Sequence, residues 1–274
     1  MKKKKQLLLM TTMLVFVVVL SACGTSEISA SSTGVWEKIV YLFAQAVKGL
    51  SIGGSRGIGI ILFTLIIRIV LLPLIHFQTK SMRKTQELQP KIKQLQQQYA
   101  SKDVETQQKF REEQQKLYAE YGVNPYAGCL PLLVQMPILM AIYQAISRVP
   151  ELREGSFLWL KILGEPDPYF ILPVLAAILT FASTYLSSMS QVESNASLKV
   201  MNYVMPVMIF VMAVNLPSAL SLYWVVSNAF QVVQTLLINN PFKIMKEREE
   251  MARKERERVR ALERAQNPKK KRKK

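Results

Sequence analysis

Arg68 stands within Leu65-Ile66-Ile67-Arg68-Ile69-Val70-Leu71-Leu72, about eleven residues into an apolar run long enough to span a bilayer. A guanidinium at that depth costs at least about 2.5 to 3.5 kcal/mol on insertion scales, so it needs either a wet cavity inside a helix bundle or backbone carbonyls to bond. Five runs qualify as spans by length and apolarity, at 57 to 77, 129 to 147, 169 to 189, 200 to 215 and 219 to 238. None of the five contains Asp or Glu, so Arg68 has no counter-ion at membrane depth. The expected fold is an all-α integral membrane protein with five transmembrane helices around a hydrophilic groove, plus a cytoplasmic helical hairpin and an outer interfacial helix.

Charge distribution sets the expected orientation. The 274 residues are 50% hydrophobic and carry a formal net charge of +17, a pairing that soluble domains rarely show. Lys and Arg concentrate in 78 to 127 and 239 to 274, and the positive-inside rule makes both cytoplasmic, with the loop 190 to 199. The loops 148 to 168 and 216 to 218 then fall outside, as does the N-terminus. At a rise of about 1.5 Å per residue the second and fourth runs reach only roughly 25 to 28 Å, against an apolar bilayer core of about 30 Å.

Residues 1 to 22 read as a lipoprotein signal peptide. Lys2 to Lys5 form its positive region, Leu7 to Leu20 its apolar region, and Leu20-Ser21-Ala22-Cys23-Gly24 resembles a lipobox. Cys23 would become the acylated first residue, and 23 to 34 an extracytoplasmic tether. From 35 to 52, Trp36, Ile39, Val40, Phe43, Val47 and Leu50 recur at helical spacing, as in a helix lying on the outer surface. Gly53-Gly54-Ser55-Arg56-Gly57 reads as a hinge, without the lysine and spacing of a phosphate loop. In the hairpin, Leu88, Ile92, Leu95 and Tyr99 form one stripe, and Phe110, Leu117 and Tyr121 another, across a break at Ser101-Lys102-Asp103.

Polar residues on the spans surround Arg68 with candidate neighbours. Thr64 shares its span, Gln135 and Gln144 lie on the second, and Ser183 and Ser187 on the third, beside Thr180 and Thr184. Ser227, Gln231 and Gln234 share one face of the fifth, which also carries Asn228. Each alone is ordinary interhelical glue; together they describe a positive, acid-free cavity suited to an anionic, polar guest. Coupled transporters typically need membrane carboxylates, which are missing. Only two cysteines, Cys23 and Cys129, and one histidine, His76, are present, so no disulfide framework, metal site or Ser-His-Asp triad is expected. No cofactor and no enzymatic activity are expected.

Two stretches, Cys129-Leu-Pro-Leu-Leu-Val-Gln-Met-Pro-Ile-Leu-Met-Ala-Ile-Tyr143 and Pro217-Ser-Ala-Leu-Ser-Leu-Tyr-Trp-Val-Val-Ser-Asn228, resemble signatures of the YidC membrane protein insertases. The arginine in the first span matches as well, and the resemblance covers about 35 to 240. The lipobox, the lack of a large periplasmic domain and the five spans resemble the Gram-positive form. The resemblance implies a groove open to cytoplasm and lipid but closed outside, which takes nascent membrane proteins alone or beside the Sec translocon without hydrolysing nucleotide. It implies no small-molecule substrate. Client helices would leave along Met136, Pro137 and Met212, since flexible methionine suits varied partners. The basic tail, ending in Lys269-Lys270-Lys271-Arg272-Lys273-Lys274, suits ribosomal RNA or the anionic lipid bilayer equally well. The rival reading is a transporter or channel for an anionic solute.

Overall fold

The computed structural model describes residues 27–124, 130–189 and 196–266. The expected signal peptide, Cys23, Cys129 and the terminal lysine run lie outside the described residues. Among those residues the elements are helical, and the one β feature is an isolated bridge between Phe157 and Leu160. In chain order the helices are α1 (Val35–Gly49), α2 (Arg56–Val70), α3 (Leu72–Glu87), α4 (Gln89–Gln98), α5 (Val104–Glu120), α6 (Leu130–Arg148) and the single turn α7 (Pro150–Arg153). Then follow α8 (Ile171–Met189), α9 (Ala196–Asn215), α10 (Ser218–Ile238) and α11 (Pro241–Gln266).

The first run, read as one helix over 57 to 77, is broken. Pro73 has no N–H to give the carbonyl of Ile69, so the ladder loses a rung and the chain restarts as α3. Across Leu71 the α2 axis and the line of α3 and α4 are bent by 54°. α3 then runs straight past the expected membrane boundary to Glu87. The fourth run also differs from expectation: its helix begins at Ala196 and has 20 residues, about 30 Å of helix, although its apolar part is no longer than anticipated because Lys199 lies in that first turn.

The core is a bundle in which α8 packs along both α9 and α10, α10 also lies on α2, and α1 lies across α2 and α6. Close approach comes from small residues at the crossings: Ala141, Ala145, Ala176, Ala213 and Ala219 are all essentially inaccessible. Gly59 serves the same purpose where α2 passes the end of α1, since a Cβ there would sit 2.3 Å from the carbonyl oxygen of Val47. The outward faces carry large apolar side chains, among them Ile66, Ile69, Ile178, Val204, Val207 and Val211. A solvated protein does not expose such a surface, and lipid is the medium that suits it. By length and composition, α8 and the α10–α11 unit are each sufficient to cross a membrane among the described residues, and the bent α2–α4 unit makes a third.

α1 is clamped to the bundle instead of lying free on a surface. Val40, Ala44 and Val47 are buried, Phe43 meets Phe63 edge-on at 5.1 Å, and Lys48 pairs with Glu151 at 2.9 Å. The segment expected as a loose tether is partly fixed too. Ile28 is buried, and its N–H donates to the carbonyl of Arg148 at 3.0 Å, because an isoleucine has more to gain in the bundle than in water. The loop 148 to 168 folds over the same end. Asp167 accepts from the backbone N–H of Leu172 and Tyr169 and from Trp159 Nε1, while Ser218 and Ala219 at the start of α10 donate to the Glu165 and Leu163 carbonyls.

α4 and α5 pack on each other through Leu88, Ile92 and Val123, with Phe110, Leu117 and Tyr118 against them. Tyr118 fills the place expected for Tyr121, which is exposed. Asp103 caps α5 by accepting from the Thr106 N–H at 2.8 Å.

Two outcomes follow from these contacts. Gly59→Ala should cost about 1 to 3 kcal/mol of stability, read as a lower thermal midpoint in detergent, because the atom it strikes is backbone. At the hairpin tip, the Ser101 hydroxyl and the Thr106 N–H hold the Asp103 carboxyl down at about 2. A depressed folded value means that the cap's contribution is present above the ordinary carboxylate range and is lost as pH falls through about 2. Hydrogen exchange at the first turn of α5 should therefore be faster in Asp103→Ala than in the parent at neutral pH, and the difference should vanish near pH 2.

Candidate functional site

Arg68 lies in the last turn of α2, where the break at Leu71 leaves carbonyls without helical partners and the dipole end favours a cation. The same break turns α3 aside and opens a cavity of about 210 Å³ between α2, α3, α6, α8 and α10. Arg68 is half-buried on its wall and makes no hydrogen bond or ion pair with a described residue. No acidic side chain lines the cavity among the described residues. Arg68 therefore faces a space whose polar lining is amide and hydroxyl.

Of the residues singled out by sequence, Gln135, Ser187, Gln231 and Gln234 line this cavity with Arg68. Gln135 is held in place by donating to the Tyr223 hydroxyl at 2.5 Å, and Ser187 donates to the Ser183 carbonyl at 2.8 Å. The others are placed elsewhere. Thr64 is buried and turned back on its own helix, donating to the Ile60 carbonyl at 2.6 Å. Ser183 sits in the seam between α8 and α10, where its hydroxyl meets Asn228 Oδ1 and Asn228 in turn donates to Thr180 Oγ1 at 3.0 Å. Ser227 is buried in α10, and its hydroxyl has no hydrogen-bond partner among the described residues.

Gln144 departs furthest from its expected position in the groove. It accepts from Trp36 Nε1 and from Arg148, both at 3.1 Å, and Arg148 reaches Glu37 at 3.5 Å. The reason is helical geometry: nine residues after Gln135 at about 100° each turn Gln144 to the opposite face of α6, about 14 Å along the axis. This cluster contains a buried arginine, Arg148, which ties α1 to α6. Met136, Pro137 and Met212 are exposed on the outer faces of α6 and α9, with Met208 one turn before Met212.

Sequence reasoning missed part of the lining. Gln78, Thr79, Met82, Arg83, Gln86 and Asn239 also face the cavity, and all but Asn239 come from the stretch assigned to the hairpin. A signal for them existed: Arg68, Leu71, Ile75, Gln78, Met82 and Gln86 are spaced at three and four residues, one helical face carried across the bend. Arg83 donates to Asn239 Oδ1 at 3.0 Å.

The arrangement has counterparts in known proteins. Residues 49–247 match the model of the 60 kDa inner membrane protein family. The chain is 74% identical over 275 residues, with full coverage of both, to the membrane protein insertase YidC of Enterococcus faecalis. It is 53% identical over 249 residues to membrane protein insertase YidC 1 of Lactococcus lactis, covering 91% of this chain and 92% of that one. A crystal structure described as an active YidC insertase with the first transmembrane domain resolved superposes with a TM-score of 0.58 at 32% identity, over 75% of this chain and 47% of that one. A bundle of apolar helices with an acid-free arginine cavity, matched at this identity from end to end, shows that the chain belongs to the YidC family of membrane protein insertases.

Proposed function

We propose that the chain inserts membrane proteins by taking a client's hydrophilic segment into the Arg68 cavity while the client's apolar helix partitions into lipid. The observation that carries this reading is the cationic side chain without a counter-ion among the described residues, on the wall of a cavity to which amide and hydroxyl groups also contribute, in a lipid-suited bundle. A hydrophilic segment crossing a bilayer meets its main cost in shedding water. A half-depth cavity with amide, hydroxyl and guanidinium groups replaces that water over part of the path, and attraction to Arg68 favours acidic segments. Exposed Met136 and Pro137 on α6, which lines the cavity, and Met212 on α9, which packs on α8, supply an apolar surface that adapts to client helices.

Five helices cross the membrane in this reading: α2 with the start of α3, α6, α8, α9 and α10. The basic hairpin and α11 face the cytoplasm and the end closed by the loop 148 to 168 faces outside. The packing of that loop onto α10 speaks against a solute channel, which needs a second opening. Acylation of Cys23 anchors the N-terminus outside, and the Sec translocon shares larger clients. The mainly exposed helix α11, rich in Arg and Lys, meets ribosomal RNA during delivery.

Two measurements test this. In reconstituted vesicles, Arg68→Ala is expected to slow insertion of an acidic-tailed single-span client about tenfold, the equivalent of one partly desolvated charge pair, while Arg68→Lys retains most activity; unchanged rates with Arg68→Ala would refute the cavity mechanism. Removing residues 240 to 274 is expected to abolish salt-sensitive co-sedimentation with ribosomes, and undiminished binding would transfer the tail's role to anionic lipid.

A further inference from the structure

Among the described residues the cavity has two positive charges, and they occupy different ends of it. Arg68 belongs to α2, above the bend, and Arg83 to α3, below it, on the stretch that leads out to the hairpin. Neither meets a carboxylate in the lining. The only hydrogen bond Arg83 makes to a described residue is to Asn239 Oδ1, a neutral acceptor at the C-terminal cap of α10. That bond orients the guanidinium and leaves its charge and most of its five donors available. One turn further along the same face, the lining residue Gln86 has a buried side-chain oxygen with no hydrogen-bond partner among the described residues. A buried acceptor of this kind has a use for an N–H brought by something entering the cavity.

We propose that Arg83, with Gln86 and Asn239, forms a second anion station at the mouth of the groove, so that the groove favours client segments carrying two acidic residues about six positions apart. This rests on the insertion reading above. At about 1.5 Å per residue along the helices, and with the bend taken into account, the two arginine α-carbons are about 20 Å apart. An extended chain covers that distance in about six residues. A hydrophilic client segment is extended and without internal hydrogen bonds as it enters. Its backbone N–H groups suit Gln86 Oε1, its first carboxylate can reach Arg68, and its second then falls beside Arg83. Arg83 thus captures the acid that leads during entry and holds the trailing acid once the leading one has moved on to Arg68.

The test uses the full-length protein in vesicles and a set of single-span clients whose hydrophilic tails carry one acid, or two acids separated by two, six or ten positions. The parent protein is expected to insert the six-position client about fivefold faster than the one-acid client, the factor for one partly solvated charge pair. Arg83→Gln should remove that advantage and Arg83→Lys should keep most of it, the lysine variant also showing that the helix tolerates substitution. An advantage that survives Arg83→Gln, or one independent of spacing in the parent, overturns the proposal. Arg68→Ala in the same series separates the two readings. If it slows every acid-bearing client while the spacing preference persists in Arg83→Gln, the cavity mechanism stands and the second station falls; if it slows none, both fall.

Discussion

A guanidinium that has no carboxylate within reach among the described residues, held among helices whose outer faces are apolar, sets the terms for the rest of the bundle. It cannot be packed against hydrocarbon, so a cavity must exist beside it. The cavity in turn needs a wall that does not close, and the break at Leu71 provides one. Because Pro73 leaves the Ile69 carbonyl without its helical donor, α3 departs at 54° instead of continuing α2 along α10. The charge and the kink are three residues apart in the chain, and one helix end accounts for both: the terminus that favours a cation also turns the wall aside.

The opposite end of the bundle is built on the reverse principle. There a buried arginine, Arg148, is given a carboxylate, Glu37, and an amide, Gln144, and Trp36 and Ile28 cover the group. A neutralised, hydrogen-bonded arginine fastens helices together, whereas an unneutralised one facing a cavity attracts a guest. Asp167 and the folded loop before α8 complete that fastening. The bundle is fastened at one end and holds the Arg68 cavity toward the other, an asymmetry that suits the proposed one-sided entry.

Between the two ends, hydroxyl and amide side chains divide into two populations that look alike in the sequence. Thr180, Ser183 and Asn228 bond one another across the α8–α10 seam and hold the helices in register. Gln135, Ser187, Gln231 and Gln234 face the cavity. On α8 their difference is depth: Ser183 and Ser187 lie one turn apart, about 6 Å along the axis and only about 40° in rotation.

Helix content and the anomaly at Arg68 were legible in the sequence, because apolarity and charge are properties of a linear segment. Even the missed lining residues Gln78 and Gln86 follow the helical spacing of Arg68, and were hidden by treating the membrane boundary as the end of the face. Tertiary structure alone decided the rest. Gln144 went to the clamped end because helix phase relative to neighbours, not polarity, selects its environment. Arg83 and Asn239, far apart in the chain, meet only because α3 bends back toward the end of α10. Ile28 is pinned because a surface that exists only after the bundle forms is there to receive it. A linear pattern states what a side chain cannot tolerate, and only the packed helices determine which neighbour satisfies it.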